Sequence, residues 1–465
     1  MILRLAIRSL LSRPVRSAVL IGGFGLGVAV MAVLLGVGSV ILDQARAPEL
    51  RGGGDVIVGG SSGRLPSARF ILAAVLGAGS LAPRVAAAAP SDRAELYLLD
   101  GHGTVTPIRA RGGIPSLERA LGDPETRGVS SWLDTPADRA WAAPSAEEAL
   151  AAMDRFHAVP DVPARRASWA EWLYFNGRTD AARFYLTFLA GPMVGSGKRT
   201  LGVRLQLERS GAMQSYSASA DAESAELLAS APNLSVGRNR VRLVGHEYQL
   251  SLDLPAESGR GRVSGEIAIG ADLGRSMPPL VIRGAAGWVS GYVVPVTSGT
   301  LRGTLQVDGQ PIDLDGGVGY HDHNWGFWSG VSWQWGQVQH GGVSLVYGRV
   351  HPPADAADAS RVPGLVVALG PDGPLGFASD VTIEEINEPG SDRPRRIVVR
   401  GHGDSLDVTM DVNVRQTTLT ERRADAPGQP LDFLQLRADY HVTGRAGDLP
   451  IDFTALGSAE TFRGK

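Results

Sequence analysis

The chain contains no cysteine. Disulfides, thiolate nucleophiles and cysteine-ligated zinc or iron are therefore excluded, and the compartment stays open. It also lacks an excess of basic charge: 45 Lys and Arg stand against 48 Asp and Glu. Holding nucleic acid by phosphate neutralisation is not expected of such a surface. Low hydrophobicity is missing too. With 43% hydrophobic residues and a formal net charge of -3, the chain does not have the composition of a disordered polymer. Long apolar runs are scarce: a single stretch of more than 20 residues, 17–42, is both uncharged and predominantly apolar, so a multispan membrane protein is excluded. A phosphate-binding loop is absent as well. Gly195-Ser196-Gly197-Lys198-Arg199-Thr200 imitates one, but Pro192 stands where the motif needs glycine and Arg199 where it needs Ser or Thr.

Glycine, by contrast, is abundant, at 60 of 465 residues against a usual ~7%. With 29 prolines it implies many turns and hence many short strands. The length corresponds to about three domains.

Residues 17–42 read as one transmembrane helix. Arg4, Arg8, Arg13 and Arg16 precede it without an acid among them, which holds the N-terminus in the cytoplasm and sends the rest of the chain out. The run is longer than the apolar core of a cleaved signal, so an uncleaved anchor is expected. A second apolar patch, residues 70–82, is too short to span. It is either a signal-like core or a buried helix, and we expect the helix.

The opening Leu3-Arg4-Leu5-Ala6-Ile7-Arg8-Ser9-Leu10 and Arg13-Pro14-Val15-Arg16-Ser17 resembles the start of an FtsX/MacB-type ABC transporter permease. Gly53-Gly54-Asp55-Val56-Ile57-Val58 and Val85-Ala86-Ala87-Ala88-Ala89-Pro90 resemble the extracytoplasmic domain that follows. Such permeases carry three further spans that are not found here. The resemblance implies an anchor and ABC transporter subunits as partners, not transport by this chain alone.

The pattern changes near residue 145. Residues 147–156 carry a short helical pattern, and Pro160 and Pro163 follow in a linker-like stretch. Beyond Trp169, strand-like runs recur at short intervals, among them 171–176, 183–189, 200–207, 287–294, 312–320, 332–338, 406–414 and 435–442. Roughly 150 residues per domain makes this region two β-barrels. The expected division is residues 1–43 basic N-terminus and span, 44–145 a small α/β extracytoplasmic segment, 146–168 linker, 169–325 barrel 1 and 326–465 barrel 2.

Residues 319–340 are the most informative. Four of the nine tryptophans, Trp325, Trp328, Trp333 and Trp335, lie there beside Tyr320, His321, Asp322, His323 and Asn324. In a strand, His321 and His323 face one side and Tyr320, Asp322 and Asn324 the other. Two histidines with no third ligand nearby do not make a metal site, and no metal or cofactor is expected. The segment is either a barrel core with a polar network or an apolar pocket with a few polar groups aimed inward. In such a pocket a carboxyl would keep its proton to higher pH.

Gly319-Tyr320-His321-Asp322-His323-Asn324-Trp325-Gly326 resembles the signature of the carotenoid 1,2-hydratase (hydroxyneurosporene synthase) family and its AttH-like relatives. Glu171-Trp172-Leu173-Tyr174-Phe175-Asn176-Gly177 resembles that family's first strand, and Gly457-Ser458-Ala459-Glu460-Thr461-Phe462 its last. The resemblance implies a mainly β fold of two tandem lipocalin-like barrels with a site near their junction. It also implies a hydro-lyase that adds water to an isolated C=C bond of an acyclic carotenoid. Asp322 then matches the catalytic acid and Tyr320 its neighbour. Tyr292, His321, His323, Asn324, Trp325, Trp328, Trp333 and Trp335 become candidate ligand-binding residues. Trp288-Val289-Ser290-Gly291-Tyr292-Val293-Val294-Pro295 lacks the histidine that hydratases carry there, which places the chain nearer the AttH-like branch. Two functions follow as expectations. One is a membrane-anchored, periplasmic protein of the inner membrane that binds a polyene or lipid and protonates it through Asp322. The other is a non-catalytic ligand-binding accessory subunit of an ABC transporter.

Overall fold

A computed structural model describes residues 56, 58, 68–77, 85–99, 101, 105–122, 126, 129–195, 197–420 and 431–464. The expected membrane span, residues 17–42, lies outside them. Among the described residues no helix is long and apolar enough to cross a membrane.

The chain divides into two compact units, one of residues 1–64 and 87–135, the other of residues 65–86 and 136–465. In the second unit, helix α1 (Ala68–Gly77) comes first. In the first, strands β1 (Ser91–Leu99) and β2 (Val105–Gly113) form an antiparallel hairpin, followed by helix α2 (Pro115–Ala120). Proline at the start of α2 suits a turn whose first N–H groups have no helical partner.

The second unit continues with α3 (Pro136–Ala142) and α4 (Ala146–Met153). A twelve-stranded sheet follows: β3 (Trp169–Arg178), β4 (Ala182–Val194), β5 (Lys198–Arg209), β6 (Ala212–Glu223), β7 (Leu234–Val236), β8 (Asn239–Val244), β9 (Glu247–Pro255), β10 (Arg262–Gly270), β11 (Met277–Arg283), β12 (Val289–Val307), β13 (Gln310–Asp313) and β14 (Gly317–Phe327), with helix α5 (Ser224–Ser230) between β6 and β7. Its main order is β6-β5-β4-β3-β14-β12-β10-β9-β8-β7. A bridge between Tyr216 and Ala256 brings the sheet almost to closure. The glycine-rich segment around Gly195 and Gly197 is the turn joining β4 to β5, where Val194 pairs with Lys198.

A nine-stranded sheet makes the second barrel: β15 (Ser332–His340), β16 (Val343–His351), β17 (Leu365–Gly370), β18 (Gly373–Ala378), β19 (Asp380–Asn387), β20 (Pro394–His402), β21 (Leu406–Thr420), β22 (Leu431–Ala446) and β23 (Leu449–Gly464). A bond from Phe377 N on the edge strand β18 to Ser405 Oγ, just before β21, reaches across the open side of this sheet. The fold is thus mainly β with two nearly closed barrels. Strand β14 runs to Phe327, two residues past the expected boundary, because Gly326 and Phe327 still pair with Ala170 and Trp169.

Burial explains the sequence texture. Strand β8 has one wet face and alternates strictly between buried and exposed residues. Strands β3 and β14 are covered on both faces. The core of barrel 1 lies on one side, where Trp169, Leu173 and Phe175 point, and barrel 2 lies on the other. They are therefore buried along nearly their whole length, although β14 carries polar side chains on both faces.

Residues 146–157 are more than a linker. Ser145 caps α4 in a reciprocal pair with Glu148, and Glu147 Oε2 accepts from Gly245 N at 2.7 Å on the β8–β9 turn. Held this way, α4 and the residues after it place Leu150, Met153 and Phe156 in the core of barrel 1. Helix α1 adds Phe70 to the same core, as the buried-helix reading of this patch expected, and residues 78–82 lie outside the described ones. Barrel 1 is therefore filled by side chains of its own chain.

Candidate functional site

Strand β14 carries polar chemistry on both faces. Toward the interior of barrel 1 point His321, His323 and Trp325, and there they meet groups that their position in sequence did not suggest. His323 Nδ1 lies 2.8 Å from Asp154 Oδ1 and its Nε2 lies 3.1 Å from Glu171 Oε1. A carboxylate only accepts, so both ring nitrogens carry protons and His323 is an imidazolium. Burial alone would lower its pKa, but the two carboxylates outweigh burial and push it up to about 9. Asp154 is fully buried, which by itself would raise its pKa; His321 and His323 overcome this and hold it at about 2. His321 donates from Nδ1 to the Tyr174 carbonyl at 2.9 Å, and its Nε2 lies 2.9 Å from Asp154 Oδ2.

Glu171 closes the network. It accepts from the His157 backbone N–H at 2.9 and 3.0 Å, from His157 Nδ1 at 2.7 Å, and has Arg199 Nη1 at 3.5 Å. Desolvation raises its pKa, and the bonds from His157 and His323 lower it further than that. His157 stacks on Trp325 with centroids 4.2 Å apart. Gly291 makes room for that indole, since a Cβ there would lie 2.0 Å from it.

The donor atoms of His157, Glu171 and His323 fall within 4.8 Å of one another, a spacing a metal ion could bridge. The His323 lone pairs, however, are engaged by protons held between two carboxylates, and the Arg199 guanidinium already stands beside Glu171. The cluster is an internal hydrogen-bonded and ionic network that ties residues 154–157 to β3 and β14. His321, His323 and Trp325, expected with Asp322 at a ligand site, lie here instead, because alternate residues of a strand point to opposite faces.

The opposite face of β14 meets barrel 2 in layers that follow the strand register. In the outer layer, Trp172 and Asn324 pair on β3 and β14, facing Trp333 and Phe462, which pair on β15 and β23. Trp333 stacks on Phe462 at 3.9 Å and lies 6.0 Å from Trp172, while Trp328 packs 4.7 Å from Trp172. Trp172, Trp328 and Trp333 are only half-buried, so this layer is an aromatic rim. In the middle layer, Tyr174 pairs with Asp322, and Trp335 pairs with Glu460, which itself pairs with Gln435. In the inner layer, Asn176 and Tyr320 face Gln337, with Gln337 Nε2 donating to Asn176 Oδ1 at 3.2 Å.

Asp322 is 3% exposed and belongs to no ion pair among the described residues. Asn324 Nδ2 donates to its Oδ1 at 2.9 Å and Tyr320 Oη to its Oδ2 at 3.0 Å. The chain continues outward. Tyr320 and Tyr292 hydroxyls are 2.8 Å apart, and Trp335 Nε1 donates to Tyr292 Oη at 2.8 Å. Burial first, and then the nearby Glu460 charge, raise the Asp322 pKa well above the carboxylate range, against the opposing bonds from Tyr320 and Asn324. When Asp322 holds its proton it donates to Tyr320, and the two tyrosines turn their hydroxyls outward in the same relay. Both tyrosines stay neutral, since burial lifts their pKa values well above 10.0.

Of the residues singled out from sequence, Tyr320, Asp322, Asn324, Tyr292, Trp328, Trp333 and Trp335 converge on this seam. Glu460 was not singled out, although it is 9% exposed and its pKa is pushed by burial to about 7. Its signal was present: an acidic residue directly after the small residues Gly457, Ser458 and Ala459 of the final strand. Asp154 gave no such signal, because its place depends on where α4 docks. Elsewhere, Ser332, Gln334, His351, Thr461, Phe462 and Arg463 line an open cleft of about 340 Å³ at one end of barrel 2.

No family model matches the chain, and no curated protein does. Among solved structures it is similar to a Nitrosomonas europaea protein provisionally named AttH, with 14% identity and a TM-score of 0.44 over 64% of this chain and 92% of that one. It is also similar to CghA in its complex with Sch210972, with 11% identity and a TM-score of 0.42 over 66% of this chain and 93% of that one, and to CghA alone at 12% and 0.39. Likenesses at this level say nothing about what the chain binds.

Proposed function

We propose that the chain binds a hydrophobic polyene or lipid at the seam between its barrels and protonates an isolated C=C bond of it through Asp322, in the manner of a carotenoid 1,2-hydratase-like hydro-lyase. One observation carries this reading: a buried carboxyl in no ion pair among the described residues, its pKa raised by its surroundings, stands in the layer next to a half-buried rim of tryptophans. A carboxyl whose pKa is raised by burial holds its proton to higher pH and so has one to give, as a general acid must. The proton passes from Asp322 to one alkene carbon and leaves a tertiary cation on the other. The π faces of Trp335 and Tyr320 stabilise that cation. Water adds to it and returns one proton to the Asp322 carboxylate, so the acid is regenerated and the sum is alkene plus water to alcohol. Residues 17–42 anchor the chain in the inner membrane with the barrels on the periplasmic side, close to a membrane-dissolved ligand.

A binding role without turnover, as an accessory subunit of an ABC transporter, is favoured by one fact: both Asp322 oxygens already have hydrogen-bond partners. Solvent extraction of the purified full chain with mass spectrometry, followed by incubation of the recovered ligand with wild type and Asp322→Asn, separates the two. We expect a product heavier by one water from wild type only. A wild type that carries no apolar ligand would end the seam reading. Equal product from both proteins would end the acid role.

A further inference from the structure

The seam leaves hydrogen-bonding capacity unused. In the middle layer, Tyr174 Oη and Gln435 Oε1 are buried with no partner of normal geometry, although Tyr174 lies near Glu460. In the inner layer, Asn176 Nδ2 and Gln337 Oε1 are in the same state. All four residues are more than nine-tenths buried. Such groups are normally satisfied, and an unpaired one is a cost that a ligand or an ordered water removes. The middle-layer pair is one hydroxyl that can donate and one acceptor, each on a residue in register with a seam carboxyl, Tyr174 with Asp322 and Gln435 with Glu460. The arginines on this face are engaged elsewhere, Arg183 with Gly457 O at 3.1 Å and Arg437 with Glu208 at 2.6 Å.

We infer that the middle layer recognises a hydroxyl group on the apolar ligand, which accepts from Tyr174 Oη and donates to Gln435 Oε1. A hydrocarbon end leaves both atoms unpaired. A carboxylate end meets the charge that Glu460 carries above about pH 7 and is repelled. A hydroxyl alone matches one donor and one acceptor without bringing charge. This inference rests on the seam as the binding site and adds the chemical class of the ligand's polar end: a polyene or lipid alcohol.

One polyene skeleton with three ends tests it: retinol, retinoic acid and the parent hydrocarbon, titrated into the full chain at pH 8 with quenching of the seam tryptophans as readout. Retinol should bind roughly tenfold tighter than the hydrocarbon, the ratio expected when two buried groups regain partners, and retinoic acid should bind weakest. In a Tyr174→Phe/Gln435→Leu double variant the preference for retinol should vanish while hydrocarbon affinity holds. Tyr174→Phe alone, nearly isosteric, supplies the same test should the double variant fail to fold. If the hydrocarbon binds wild type as tightly as retinol, or if the variants keep the preference, the hydroxyl inference falls and the seam site stands. If none of the three quenches, the seam reading falls and takes the inference with it.

Discussion

Asp322 and Glu460 occupy one layer of the inter-barrel seam, one from each barrel. Trp335, the in-register neighbour of Glu460, lays its indole 5.3 Å from Tyr320 and 5.9 Å from Tyr174, the two residues that flank Asp322. Each carboxyl is buried and in no ion pair among the described residues, and burial and the charge of Glu460 raise the Asp322 pKa against the opposing charge of His323. Two carboxyls so placed resist ionising together.

Replacing Glu460 by Gln should therefore flatten part of the pH dependence of stability. The folded pKa of Glu460, about 7, lies above its unfolded value of 4.5. Its contribution is complete below pH 4.5, declines as pH rises to about 7 and is constant beyond. The decline is on the order of 3 kcal/mol. Urea unfolding at intervals between pH 4.5 and 7 should show this slope in wild type and lose it in Glu460→Gln.

On the opposite face of β14 the alkaline side is controlled by His323. Its folded pKa of about 9 lies above 6.5, so its stabilisation is whole below pH 6.5 and disappears as pH climbs through 9. A His323→Gln variant should be less stable at pH 6 and should show a weaker fall between pH 6.5 and 9. Equal slopes in the two proteins would mean that His323 is not the imidazolium its two carboxylate partners require.

Asp154 tests whether residues 146–157 are integral to barrel 1. Asp154→Ala leaves the His323 cation with Glu171 as its one carboxylate and removes the carboxylate partner of His321, and loss of one member of a buried ion pair costs about 3–5 kcal/mol. Chemical denaturation should report a loss of that size. A loss within about 0.5 kcal/mol, the usual effect of a surface substitution, would mean that the segment only lies against the barrel.

Gly291→Ala should destabilise by about 1–3 kcal/mol, the usual penalty for overpacking, because the added methyl meets the Trp325 indole. The displaced indole would unstack from His157. A change in the tryptophan emission spectrum together with a lower melting temperature checks this. The position tolerates no Cβ for reasons of space, not of backbone angle.

The architecture was legible in glycine-rich turns and in the spacing of strand-like runs, because period-two patterns and turn residues are local properties of a chain. The facing of β14 was legible for the same reason: in any strand, Tyr320, Asp322 and Asn324 share one side, and His321 and His323 share the other. Which of those sides faces the second barrel was not local. It depends on α4 docking inside barrel 1 and delivering Asp154 to the histidines from 167 and 169 residues away in the chain.

Sequence by itself thus determined that this is a mainly β protein with one rich aromatic and acidic segment, since side-chain alternation and turn propensity need no tertiary partner. Only the tertiary structure decided that His321 and His323 are fixed in an internal charge network while Asp322 meets Glu460 between the barrels. The physical reason is burial. A carboxyl or an imidazole acquires its protonation state from the groups packed around it, and those groups are brought together by the closure of sheets and not by their order along the chain.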